Sequence, residues 1–106
     1  MKEFKDLLFQ PHPIGEGTLQ AVIDFDDISV SIVKSGKDSR FRHYSDGVSS
    51  YEVHAWNNKT EDTIWLSEYD AVLGWCSAED ISSLMLLIQT HPEKVLSRSA
   101  NFEKSY

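Results

Sequence analysis

Long apolar runs are missing from this sequence. Nothing in it nears the roughly 18 consecutive apolar residues that a membrane-crossing helix requires. The opening MKEFKDLLFQPHP breaks its one short apolar patch with acids and prolines, unlike a secretory signal. Cysteine is nearly missing too: Cys76 stands alone, which excludes an intramolecular disulfide and suits a reducing compartment, so a cytoplasmic protein is expected. Base is scarce, with 10 Lys and Arg against 17 Asp and Glu, a formal charge of -7. Glycine-rich phosphate cradles are also wanting. Gly15-Glu16-Gly17 lacks the third glycine of a dinucleotide loop and precedes a strand pattern, and no Walker loop or GxSxG elbow occurs. His12, His43, His54 and His91 are scattered, with no HxxxH spacing or carboxylate at ligand distance, so neither a zinc site nor a cofactor is expected. Repeats and low-complexity segments are absent as well.

What is there fits one modest core: 106 residues, 41% hydrophobic and 25% charged. The strongest signal is residues 19–33, LQAVIDFDDISVSIV, where two runs of period-2 alternation flank Asp26-Asp27 and predict a β-hairpin. With the two aspartates as the loop, Phe25 opposes Ile28, Ile23 opposes Val30 and Ala21 opposes Ile32. All six then share one face, and a one-residue slip would turn the whole set to water. Val22, Asp24, Ser29, Ser31 and Val33 occupy the other face.

Residues 48–56 alternate again, pass through the turn-forming NNKTED, and continue into 63–67 as a second hairpin. Placing Ala55 opposite Ile64 sets Val53 against Leu66 and, on the reverse face, His54 against Trp65 beside Trp56. Residues 68–75 read as a connection. Ser77 then caps a helix over residues 78–91, with Glu79 and Asp80 in its first turn and Ile81, Leu84, Met85, Ile88 and Leu87 as its apolar stripe, ended by Pro92. Residues 2–10 fit either a short helix or a strand, and 34–47 is a polar, basic loop. The expected architecture is α+β: an antiparallel sheet of two hairpins with one C-terminal amphipathic helix packed on it. It forms a domain over 1–91, with 92–106 a tail that is disordered or adds a short helix.

Charge is unevenly placed. Residues 43–90 hold eight acids against one base, so this half carries the whole net charge. Nucleic-acid binding needs basic surface for phosphates and is disfavoured, while a basic protein partner is favoured by complementarity. The plainer account is that surface acids keep a small domain soluble. Two tryptophans on the face opposite the core add an aromatic patch of the kind that anchors interfaces, unless a helix covers them. The contact set that follows is Trp56, Trp65, Glu61, Asp62, Glu68 and Asp70, serving a basic protein or, alternatively, a homodimer or an accessory subunit. Three minor readings remain. Cys76 just before a helix could act as a nucleophile with His54. Asp24, Asp26 and Asp27 could hold a cation weakly. Arg40, Arg42 and His43 could touch phosphate, or simply line a solvated loop.

Pro11-His12-Pro13-Ile14-Gly15-Glu16-Gly17, then Gln20-Ala21 with the alternating hairpin, Tyr51-Glu52-Val53, and Val72-Leu73-Gly74-Trp75 running into the helix near Ser77 follow one another in an order that resembles small bacteriophage and prophage proteins of unassigned function. The resemblance spans most of residues 9–90, departs from those proteins at Asp26-Asp27, where they carry a glycine turn, and brings across no catalytic residue. It implies a mobile-element origin and, by analogy, a role as an inhibitor of host nucleic-acid machinery, as anti-CRISPR and other anti-defence proteins are; with no catalytic motif in the residues, a non-enzymatic role by protein contact is expected.

Overall fold

The computed structural model describes residues 1–11, 18–34, 51–67 and 72–99. The 19–33 stretch folds as its alternation dictates. Strands β2 (Leu19–Phe25) and β3 (Ile28–Lys34) pair antiparallel, with Phe25 opposite Ile28, Ile23 opposite Val30 and Ala21 opposite Ile32. Asp26 alone takes positive φ, 58°, and Asp27 does not. The turn is therefore not the type I′ form, in which both central residues do. Asn58 clamps it from a neighbouring turn, its side-chain amide donating to Asp26 O and its backbone N–H to Asp27 O, each at 2.8 Å.

Strand β4 (Tyr51–Asn57) pairs with the other side of β3, so that Ala55 faces Val30 and Val53 faces Ile32. A two-residue β1 (Gln10–Pro11) edges β2, following a 3-10 turn at Phe4–Asp6; residues 2–10 thus supply both a helical turn and the start of a strand. Flanked on both sides, β3 is buried over Ile28 to Val33, including Ser29 and Ser31 of the polar face. A central strand loses solvent even where its own side chains are polar, because its neighbours' longer side chains close over them.

The second hairpin forms with Ala55 opposite Ile64, but its return strand β5 (Thr63–Ile64) stops there. Leu66 therefore does not face Val53, nor Trp65 His54. The Trp65 N–H turns away from β4 and donates to Arg98 O at 3.0 Å, and Ile64 bridges Ser99. Val53 is met instead by Leu73 of β6 (Leu73–Cys76), a strand in what reads as a connection. Its alternation is hidden by a bulge: Tyr51 pairs with Cys76 and Val53 with Leu73, so Gly74 and Trp75 together oppose Glu52.

Helix α1 (Ala78–Thr90) begins at a reciprocal cap, Asp80 N–H donating to Ser77 Oγ at 3.1 Å and Ser77 N–H to the Asp80 carboxylate at 2.9 Å. It buries Ile81, Met85 and Ile88 against Val30, Ile32, Val53, Ala55 and Ile64, the inward face of the sheet. Leu84 packs partly, whereas Leu87 is exposed and drops out of the stripe, since one residue's turn of about 100° carries it off the line of Ile88. Helix α2 (Pro92–Leu96) follows, with proline at its first position where no N–H is needed, and lays Val95 into the same core.

Candidate functional site

The face of the sheet opposite α1 carries the polar alternation. Gln20 Nε2 donates to Ser31 Oγ at 2.8 Å, and the Ser29 hydroxyl donates to Asp24, with Asn58 Oδ1 2.9 Å from the same oxygen. His54 lies 5.5 Å, ring to ring, from Trp56 and has Nε2 3.2 Å from Thr63 Oγ1. These contacts follow from register: Ser31 pairs with His54, Ser29 with Trp56 and Trp56 with Thr63, so the groups point to one side. The buried serines and the side chains roofing them were not singled out as a unit in the sequence. Their signal was the alternation of polar residues in β2, β3 and β4.

Four of the six predicted contact residues belong to one hairpin. Trp56 is half-buried on this face, Glu61 and Asp62 close the turn, and Trp65 is 41% exposed just past β5. Glu68 and Asp70 lie outside the described residues, as do His12 and, of the basic loop, all but Lys34, including Arg40, Arg42 and His43. The turn is tightly built. Asn57 Oδ1 accepts from Lys59 N–H at 2.9 Å, Asn57 O from Glu61 N–H at 2.7 Å, and Asn57 N–H donates to Asp62 O at 2.8 Å. Glu61 is held at φ 63°, a cost for a residue with a Cβ. Asp62 Oδ2 is buried with no hydrogen-bond partner among the described residues.

Cys76 and His54 are not brought together. Cys76 pairs with Tyr51 and enters the core at 4% exposure, while His54 stands on the reverse face of the sheet. Burial, assisted by the Asp80 carboxylate, pushes the thiol above its ordinary value, away from the thiolate that a nucleophile needs. The three turn aspartates do not converge either: Asp24 is engaged by Ser29 and Asp27 by Lys59 at 3.5 Å. Among the described residues no group of three or more His, Cys, Asp or Glu is placed to hold a metal ion. A cavity of about 480 Å³ opens between Lys2, Asp24, Phe25, Ile88 and Gln89, lined by neither histidine nor cysteine. No helix among the described residues is long and apolar enough to cross a membrane.

Burial holds the His54 imidazole below its ordinary value of 6.5. The folded state then binds the proton less readily than the unfolded chain. The stability that neutral His54 supports is present above pH 6.5 and is lost as pH falls through the lower, folded value. Denaturation series at stepped pH should show this loss in the native protein and a shallower one in His54→Gln. Equal slopes would place the proton uptake elsewhere.

Comparison with family models, curated proteins and solved structures returned no match.

Proposed function

We propose that the protein acts by docking, through the Trp56, Glu61, Asp62 and Trp65 hairpin, onto a basic surface of a protein partner. The observation that carries this reading is the placement of an exposed Trp65 and an exposed Glu61 on one hairpin, beside half-buried Trp56 and Asp62. Tryptophan is a typical anchor of interface centres, and acids around it set the sign of the partner's surface. The wider imbalance of eight acids to one base over residues 43–90 supplies long-range attraction to a partner of opposite sign. Resemblance to small phage and prophage proteins suggests the partner's class, a host nucleic-acid-handling or defence protein whose own basic surface serves phosphate binding. Occupying that surface would inhibit it.

The test is kinetic. Proteins retained from a bacterial lysate are identified, one is purified, and its association with the native chain, Glu61→Lys and Glu61→Lys/Asp62→Lys is followed at low and high salt. The double variant should associate at least about tenfold more slowly than the native chain at low salt, with the gap closing as salt screens the charges. Association indifferent to both reversal and salt removes the reading. A salt-insensitive dimer of the chain itself, in sedimentation, would replace it with a structural-subunit role.

A further inference from the structure

Residues 1–3 cross the molecule as a strap between α1 and the first hairpin. Gln89 holds the strap by its backbone: its Oε1 accepts from Lys2 N–H at 2.7 Å and its Nε2 donates to Lys2 O at 2.8 Å, the two bonds that a neighbouring strand gives an extended residue. Nε2 also donates to Met85 O at 3.0 Å, one turn back along α1, so the helix itself presets the amide. The Lys2 side chain reaches the hairpin. Its Nζ donates to Asp24 O at 2.5 Å and stands 5.4 Å from the Phe25 ring centroid, a cation over an aromatic face. The Asp24 and Asp27 carboxylates take no part in this seat, being engaged by Ser29 and Lys59.

No apolar side chain of the strap is buried: Met1 is 79% exposed, and Lys2 and Glu3 are exposed. Burial starts at Phe4, edge-on to Tyr51 at 5.7 Å, and at Leu7 in the core. Glu3 N–H donates to the Asp6 carboxylate at 2.8 Å and Asp6 N–H to Glu3 O at 2.9 Å, which pins the chain at that point. Opening the strap therefore ends at Glu3 and breaks a few exposed contacts, leaving the core intact. Met1 and Lys2 line both the cavity of about 480 Å³ and another of about 240 Å³ against Ser82 and Leu86, so there is room on either side of them.

A lysine seated by backbone and side chain alike, on a segment that no buried apolar group anchors, displays what this groove recognises. We infer that the groove between α1 and the first hairpin binds an extended, lysine-bearing segment of the basic partner, and that residues 1–3 occupy it as an internal competitor. The incoming backbone takes over the Gln89 amide, and its lysine takes over the Phe25 face and Asp24 O. The strap lowers the apparent affinity by the fraction of molecules in which it is closed. The inference rests on the docking reading above for the partner's basic character and adds to it a second contact site.

The probe is an acetylated and amidated pentapeptide with a central lysine among serines, titrated into the full chain and followed by the NMR shifts of residues around the groove. Lys2→Pro removes both the competing cation and the N–H that Gln89 accepts, and should tighten binding about threefold or more. Because Gln89 also holds the strap, the remaining variants are read in that background. Gln89→Leu should weaken binding about fivefold or more, and Phe25→Leu about two- to fivefold, while Phe25→Tyr keeps the ring and most of the affinity. Replacing the peptide's lysine with norleucine should cost at least as much as Phe25→Leu. Absence of binding overturns the inference. So does binding that Lys2→Pro fails to tighten, or that is indifferent to norleucine or to Phe25→Leu. A dimer in sedimentation that Lys2→Pro abolishes would also overturn it, giving the groove to a second copy's N-terminus. Partner association slowed by Glu61→Lys/Asp62→Lys, with no peptide bound, sinks the groove and leaves the hairpin docking standing. Peptide binding as expected, with partner association indifferent to those reversals, keeps the groove and removes the hairpin.

Discussion

Replacing Ile32 with alanine will lower the unfolding free energy by about 2–5 kcal/mol, a large share of the roughly 5–15 kcal/mol that a domain of this size commands. Ile32 is fully buried at the centre of the sheet, between Ala21 on β2 and Val53 on β4, within the cluster that receives Met85 and Ile81 from α1. Strands bonded on both sides cannot close up around a missing side chain without shifting two ladders, so the cavity persists and the cost lies well above the transfer free energy of the lost methylenes. Urea denaturation should show a lower midpoint with an unchanged slope. Val22→Ala serves as contrast: Val22 stands on the opposite face, exposed, and its loss should move the midpoint little. A midpoint equally displaced in both would mean that the two faces of β2 and β3 are not divided as described.

Alkylation of Cys76 should be on the order of a thousandfold or more slower in the folded protein than in the unfolded chain. The thiol is inside the core, its Sγ directed at the carbonyls of Leu73 and Gly74, at 3.7 and 3.9 Å. Reagent must therefore wait for an opening whose free energy approaches that of global unfolding, and each 1.4 kcal/mol of it slows labelling tenfold. Its pKa, raised by burial, works in the same direction. Ile32→Ala then becomes a second reading of the same quantity: if labelling proceeds through unfolding, the variant should react faster by the factor that its lost stability dictates. Labelling of the native protein at the unfolded rate would show that β6 opens locally, and would return Cys76 to consideration as an accessible nucleophile.

These two expectations draw on different layers of information. The hairpin register around Ile32 was legible in the amino acids, because Ala21, Ile23, Phe25, Ile28, Val30 and Ile32 alternate without a break and only one pairing puts them together. The α1 cap was legible for a similar reason, Ser77 and Asp80 being local partners three residues apart. Cys76 was not. Leu-Gly-Trp-Cys has no alternation to read, since the bulge at Gly74 and Trp75 breaks the period on which strand recognition depends.

The candidate site divides the same way. Composition and spacing placed Trp56, Trp65, Glu61 and Asp62 on one acidic hairpin, and that much needs only neighbours in the chain. That Trp65 leaves the ladder at Ile64 was decided by residues far along the chain, with Arg98 and Ser99 closing β5 while β6 takes the remainder of β4. Period and local hydrogen bonding belong to the sequence, because they compare residues a few positions apart. Which segment a strand edge takes as its partner is settled only when distant parts of the chain compete for the same backbone groups, and that competition has no local signature.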